Sequence, residues 1–318
     1  MNRILDGIMG LCVADALGVP VEFNDRETLR RNPVIGMRSY GTYHQPAGTW
    51  SDDTSMTLGL LDSLAQGLDY EAIMENFLKW YRNGDYTPHG EVFDIGIATR
   101  KALERFEDGA DPLECGGKAG TDNGNGSLMR ILPILFYLQS AFGAGFMAEE
   151  AAVEIIHKVS ALTHAHKRSQ IACGIYISVS SRLVAGNDIT GAVKQGIREA
   201  IEYYQKREGF SEQLKYYDRL DQDDFGKLPE DSIKSSGYVV DTLEAAIWCL
   251  LNTHSYRDCV LKAVNLGGDT DTVAAVAGGL AGLYYGYENI PQDWLDAIAR
   301  RDYIEDLCNK LATTHLYS

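Results

Sequence analysis

Two short stretches of this chain concentrate carboxylates and hydroxyls where a helix should begin. The first is Gly48-Thr49-Trp50-Ser51-Asp52-Asp53-Thr54, which runs into the apolar segment 56–64. The second is Asn265-Leu266-Gly267-Gly268-Asp269-Thr270-Asp271-Thr272, followed by the small, apolar residues 273–282. Ser and Asp are good N-caps, and acidic side chains suit the positive end of a helix dipole. One carboxylate would be enough for that purpose, and each stretch carries two. Neighbouring residues on a helix point about 100° apart, so Asp52 and Asp53 can address two different ions. Oxygen-only ligands of this kind suit hard cations such as Mg²⁺ or Mn²⁺ rather than zinc. Two cations about 3.5–4 Å apart would orient substrate oxygens and polarise water. Neither stretch has the Gly-Lys-Ser/Thr ending of a phosphate loop or the ligand ladder of an EF-hand.

Two further motifs could complete a site. Thr121-Asp122-Asn123-Gly124-Asn125-Gly126-Ser127 is a Gly-rich turn entering the apolar run 131–138. Such turns present backbone N–H groups to a phosphate, although Asn-Gly is also a common turn dipeptide. Glu22 closes the stretch Gly10-Leu11-Cys12-Val13-Ala14-Asp15-Ala16-Leu17-Gly18-Val19-Pro20-Val21-Glu22-Phe23 among apolar neighbours. A carboxylate held there could act as a base, or could simply face solvent. His164 and His166 are spaced i, i+2, which puts at most one of them on a given helix face and disfavours a zinc pair.

The elements that would position these groups read as helices almost throughout. Apolar residues recur at helical spacing at Ile4, Ile8 and Leu11, and again at Ile73, Phe77 and Tyr81. The same period links Val92, Ile95, Thr99, Leu103 and Phe106 into one predicted helix. It returns at Ala148, Ala152, Ile155, Val159 and Leu162, and at Val193, Ile197, Ala200 and Tyr204. Segments 168–184, 238–252 and 271–286 are apolar on more than one face, as central helices of a bundle are. Residues 33–46 read as an ordered loop from their Gly and Pro content. The polar stretch 205–236 reads either as a cap beside a pocket or as an exposed loop with a short helix. The expected architecture is one all-α domain spanning residues 1–318 with that insertion.

Composition narrows the classes of partner. The chain has 318 residues with a formal net charge of -16 and no basic run, so a nucleic-acid duplex or an anionic membrane surface is disfavoured. Its six cysteines are scattered without a CxxC pair, which predicts buried free thiols rather than a disulfide framework. No long apolar signal core or membrane-spanning run is read from the sequence, and a cytoplasmic protein is expected.

Taken in order, GLCVADALGVPVEF, GTWSDDTSM, NGNGSLMR, LTHAH, SGYVVDTLEAAIW and NLGGDTDTVAAVAGGLAG resemble the ADP-ribosylglycohydrolase family over nearly the whole chain. The likeness is greater to its bacterial dinitrogenase reductase-activating type. The resemblance implies an all-α fold with a binuclear Mg²⁺ or Mn²⁺ centre at the base of a cleft. Its metal ligands would be Ser51, Asp52, Asp53, Asp269, Asp271 and Thr272; the family more often has Thr where this chain has Ser51. Glu22 would lie near the distal ribose of the substrate, and Asp122 matches an acidic catalytic position. Which of the two handles the proton is left open. Asn125, Gly126 and Ser127 match a diphosphate-binding turn, His164 a residue beside the substrate, and Tyr238 a motif near the nucleotide. The implied substrate is ADP-ribose on a protein side chain, most simply arginine, with ADP-ribose as product and a monomer as the working unit. A serine, metabolite or nucleic-acid-base linkage, or a non-catalytic binding role, are the alternatives.

Overall fold

A computed structural model describes residues 2–314 of the chain. Fourteen α-helices occur among the described residues, joined by short 3-10 turns, and no strand is present among them. Two isolated bridges, Gly117 with His164 and Gly124 with Tyr238, are the extended pairings. One apolar cluster runs from Ile4 to Leu311 and draws on helices from both ends of the chain.

Five helices form the centre and are buried nearly all round: Arg3–Gly18, Asp52–Leu64, Lys167–Val184, Val239–Leu251 and Thr270–Tyr285. Arg3–Gly18 and Thr270–Tyr285 lie backbone to backbone. A Cβ on Gly10 would sit 2.6 Å from the Gly278 carbonyl oxygen, so only glycine permits this approach. Around the centre stand one-faced helices such as Tyr70–Asn83, which turns Ile73, Met74, Phe77 and Trp80 inward. All six cysteines are buried free thiols.

Three sequence expectations need correction. The stripe from Val92 to Phe106 is broken: the helix is Ile97–Glu107, with Gly96 in extended backbone before it, and residues 91–96 are coil. The turn at 124–127 does not start a helix, because the next one is Pro133–Phe142. Pro133 occupies the first turn of that helix, where its missing N–H leaves no intrahelical bond unmade. Finally, Arg3–Val21 is by length and composition apolar enough to cross a membrane, with a mean hydropathy of 1.7 over 18 residues. That window is 94% buried inside the protein, as the core helix of a bundle is.

The polar stretch after Ile189–Gln205 is neither a free loop nor a helix. It folds into three short 3-10 turns that bury Phe210, Tyr217, Leu220, Phe225 and Ile233. Arg26 fastens its end, donating to the carbonyls of Glu230 and Ile233 and, through Nε, to that of Leu266. The 33–46 segment is the ordered loop its composition indicates. Thr42 N–H donates to Pro20 O, Tyr40 N–H to Gln45 O, and the Thr42 hydroxyl to Glu22 O.

Candidate metal and substrate site

Both acidic motifs start helices, and the two helix starts face each other. Ser51 caps the helix Asp52–Leu64 through a bond from Asp53 N–H at 3.3 Å. Asp269 stands at the N-cap of Thr270–Tyr285 but makes no capping bond, which leaves its Oδ1 available. Gly267 and Gly268 hold φ of +75° and +77°, a region costly for side-chain-bearing residues. They turn the chain so that Gly268 exchanges backbone bonds with Phe23 and Asn24, at 2.7 and 2.8 Å. This pairing brings Glu22 to the second motif: oxygens of Glu22, Asp269 and Asp271 lie within 4.8 Å of one another. Thr272 Oγ1 donates to Asp53 Oδ1 at 3.3 Å, closing the gap between the two motifs.

The electrostatics of this cluster are those of charges without enough counter-charge. Burial is the leading cause that pushes the Asp52, Asp53 and Asp271 carboxyls well above their ordinary range, with neighbouring carboxylates adding to it. Glu22 is raised to about 8, by burial and then by Asp94. Two oxygens, Asp53 Oδ2 and Asp269 Oδ1, are buried with no hydrogen-bond partner. Buried polar atoms left unpaired are rare and costly. Oxygen donors from two helix starts with orphaned lone pairs suit a hard divalent cation, and the residues present fit one.

Two further carboxylates belong to the assembly and were not singled out from the sequence. Asp15, fully buried on Arg3–Gly18, accepts from four donors: the N–H and hydroxyl of Ser51 and the N–H and hydroxyl of Thr54. It therefore fixes the start of the Asp52 helix and takes the Ser51 hydroxyl hydrogen, leaving the oxygen one lone pair for a cation beside the bond from Asp53 N–H. Burial raises its carboxyl to about 6. Asp94 lies in the 91–96 coil against Tyr43 and Asp52 and is raised by burial and by Asp269. Tyr43 donates its hydroxyl to Glu22 Oε2 at 2.5 Å.

The Gly-rich turn sits beside this cluster. Asn125 N–H donates to Gly237 O, and Val239 N–H to Asn123 O, so the turn is sewn to the start of Val239–Leu251. Both amide hydrogens of Asn125 are committed, one to Asp269 Oδ2 and one to Thr242 Oγ1, each at 2.9 Å. The Ser127 hydroxyl points inward, accepting from Ser160 and meeting Cys173 Sγ at 3.5 Å. The side chains of Asn125 and Ser127 thus hold the turn, and its backbone is what remains to meet a ligand. Among the described residues, the N–H groups of Gly126, Ser127 and Leu128 make no backbone hydrogen bond. The His164 ring lies against Gly124 and Gly126. Tyr238 is half-buried at the start of Val239–Leu251, with the Arg168 guanidinium 5.7 Å from its ring centre.

Asp122 is placed apart from the metal-type cluster. Its carboxylate accepts from Ala119 N–H at 2.9 Å and packs on Gly117, and its charge acts on His164 and His166. Ser51, Asp52, Asp53, Asp269, Asp271, Thr272 and Glu22 are one group; Asn125, Gly126, Ser127, His164 and Tyr238 flank it through the Asn125–Asp269 bond. For Asp94 the sequence signal was masked by the helical spacing of its neighbours. For Asp15 the signal was present, since an acid within the apolar run 8–18 must find buried donors.

Comparison with known proteins matches this geometry to a family. The ADP-ribosylglycohydrolase profile matches residues 1–317. The chain is 32% identical to the ADP-ribosylarginine hydrolase Tri1 of Serratia proteamaculans, over 98% of this chain and 79% of that protein. It is 29% identical to the ADP-ribosyl-[dinitrogen reductase] glycohydrolase of Rhodospirillum rubrum, over 93% and 90%. A solved structure described as an ADP-ribosylglycohydrolase-related protein complex superposes with a TM-score of 0.79 at 32% identity, covering 98% of this chain and 96% of that one. With the family profile matched over residues 1–317 and a relative 32% identical over 98% of the chain, the chain belongs to the ADP-ribosylglycohydrolase family.

Proposed function

We propose that this protein is a cation-dependent hydrolase that removes ADP-ribose from a modified protein side chain, with arginine as the favoured linkage. The observation that carries the reading is the buried carboxylate cluster with two orphaned oxygens, next to a turn with unused N–H groups. The relatives named for arginine-linked and dinitrogen-reductase-linked ADP-ribose support the choice of substrate.

Ser51, Asp52, Asp53, Asp269, Asp271 and Thr272 would hold two Mg²⁺ or Mn²⁺ ions, which supply orientation of the distal ribose hydroxyls and electrostatic stabilisation. In the reaction, water adds to C1 of the ribose and the C1–N bond to the guanidinium breaks. The leaving nitrogen takes a proton, and ADP-ribose departs with a C1 hydroxyl. Glu22 is the group the geometry favours for moving the proton, since its carboxylate lies within 4.8 Å of those of Asp269 and Asp271 and is raised to about 8. Asp122, on the His164 side of the turn, fits a role in holding that wall. The backbone of the 124–128 turn would meet the diphosphate, which lets an acidic protein accept an anionic ligand. The work of the site is then positioning and charge stabilisation.

The test compares release of ADP-ribose from an arginine-modified protein and from a serine-modified peptide, both with Mg²⁺ present. Release from arginine alone supports the reading. Release from serine alone keeps the site and overturns the linkage, and release from neither overturns the hydrolase.

A further inference from the structure

Arg130 has no solvent exposure, and no carboxylate pairs with it among the described residues. Its Nε and Nη1 have no partner, and its guanidinium lies 4.7 Å over the Phe77 ring. The strongest directed bond it makes is from Nη2 to Thr163 Oγ1, at 2.8 Å, with a weaker one to Val159 O at 3.2 Å. Keeping a cation in that position is costly unless it organises something else.

What it organises is the next side chain. Thr163 Oγ1 stands 2.8 Å from His164 Nδ1 and is itself fully buried. A hydroxyl offers one hydrogen and two lone pairs. Arg130 occupies a lone pair, so the Thr163 hydrogen needs an acceptor, and His164 Nδ1 is the polar atom in reach. Were Nδ1 the donor instead, the Thr163 hydrogen would be stranded in the interior. The remaining ring hydrogen therefore belongs on Nε2. Burial and the adjacent Arg130 charge both disfavour the imidazolium, pushing His164 down to about 3 against the opposing pull of Asp122. The ring is neutral, with a single N–H.

That N–H faces the turn. A Cβ on Gly126 would meet His164 Cε1 at 2.8 Å and Nε2 at 3.3 Å, and one on Gly124 would lie 3.4 Å from Nε2. Glycine at position 126 is what admits the ring edge, and a Cβ at position 124 would rest against Nε2 in ordinary contact.

We propose that Arg130 and Thr163 are positioning residues that lock His164 as the neutral Nε2–H tautomer, so that the ring donates to an oxygen of the nucleotide seated on the 124–128 turn. The inference rests on the reading of that turn as the diphosphate site. A lone pair at Nε2 would repel a diphosphate oxygen, whereas a fixed N–H adds a donor beside the N–H groups of Gly126, Ser127 and Leu128. Because the ring does not charge near neutrality, this contribution to binding is flat with pH.

The tautomer is read directly from long-range ¹H–¹⁵N correlation spectra of the full chain labelled at histidine nitrogen, with Mg²⁺ present, His164→Gln giving the assignment. The wild type is expected to show a protonated Nε2 and a bare Nδ1 at His164 with or without ADP-ribose. Thr163→Val is expected to lose that pattern and to weaken ADP-ribose binding about tenfold, and Thr163→Ser to keep both. A protonated Nδ1 in the wild type, or an unchanged pattern in Thr163→Val, overturns the lock. A changed tautomer with unchanged affinity overturns the contact to ligand. A wild type that shows the Nε2–H pattern yet binds no ADP-ribose overturns the reading of the turn while leaving the lock in place.

Discussion

At the scale of residues, the cluster works through the hydrogen bonds that aim each oxygen as much as through its charges. Asp15 is not a candidate ligand itself, yet by accepting from Ser51 and Thr54 it sets where the free lone pair of the Ser51 oxygen points. Loss of a group in that role costs about 10–100-fold in metal affinity. Asp15→Asn should accordingly weaken Mn²⁺ binding by that range while the chain stays folded, as a titration monitored by the signal of free Mn²⁺ would show. Unchanged affinity would return Asp15 to a purely structural part. Glu22 and Asp122 separate in the same way. Glu22→Gln should lower kcat by about 10²-fold or more, and Asp122→Asn should act mainly on KM; the reverse pattern in steady-state kinetics would exchange their roles. The two acidic motifs were legible in the sequence because a capping function explains one carboxylate and each motif has two. Asp15 was visible but unassigned, since nothing local indicates that its partners lie 36 and 39 residues away.

At the scale of elements, the site depends on how closely two helices approach. Arg3–Gly18 carries Asp15 and delivers Glu22, Thr270–Tyr285 carries Asp271 and Thr272, and their spacing is set by glycine at the contact. Adding a side chain there displaces both motifs at once. Gly10→Val should lower unfolding free energy by about 1–3 kcal/mol or more, the usual cost of overpacking, measured by urea denaturation. It should also weaken cation binding, and a stable variant with intact binding would show that the helices have room to shift. Helix identity was readable from apolar period in most segments. Boundaries were not: Ile95 and Val92 share the spacing of Ile97–Glu107 but lie in the coil that brings Asp94 to Asp52. Periodicity records which side chains are buried, and a coil can bury them too. The 205–236 stretch was opaque for a related reason: its anchors, Phe210, Tyr217, Leu220, Phe225 and Ile233, are unevenly spaced and trace neither one helix face nor a strand.

At the scale of the whole molecule, the buried acids make stability depend on pH and on cations together. Glu22 rises from an ordinary 4.5 to about 8 and Asp15 from 3.8 to about 6, with Asp52, Asp53, Asp94 and Asp271 raised in the same direction. The folded chain thus binds protons that the unfolded chain releases above about pH 4.5. Without divalent cation, this contribution to stability is full below that pH and is lost as pH climbs toward about 8. Bound cations replace those protons, so saturating Mg²⁺ should flatten the slope and raise Tm most at the alkaline end, by the usual mass action of a ligand on the folded state. Thermal unfolding followed across pH 5 to about 8 with EDTA or Mg²⁺ checks this; parallel curves would place the charges outside the cation site.

The most direct test of the central claim is turnover by protein stripped with EDTA and titrated with Mn²⁺, for the wild type and Asp271→Asn, on an arginine-ADP-ribosylated substrate. The account predicts no release after stripping, recovery in the wild type as Mn²⁺ is added back, and no recovery in Asp271→Asn at the same concentrations. Full release by the stripped wild type, or by Asp271→Asn, would contradict it.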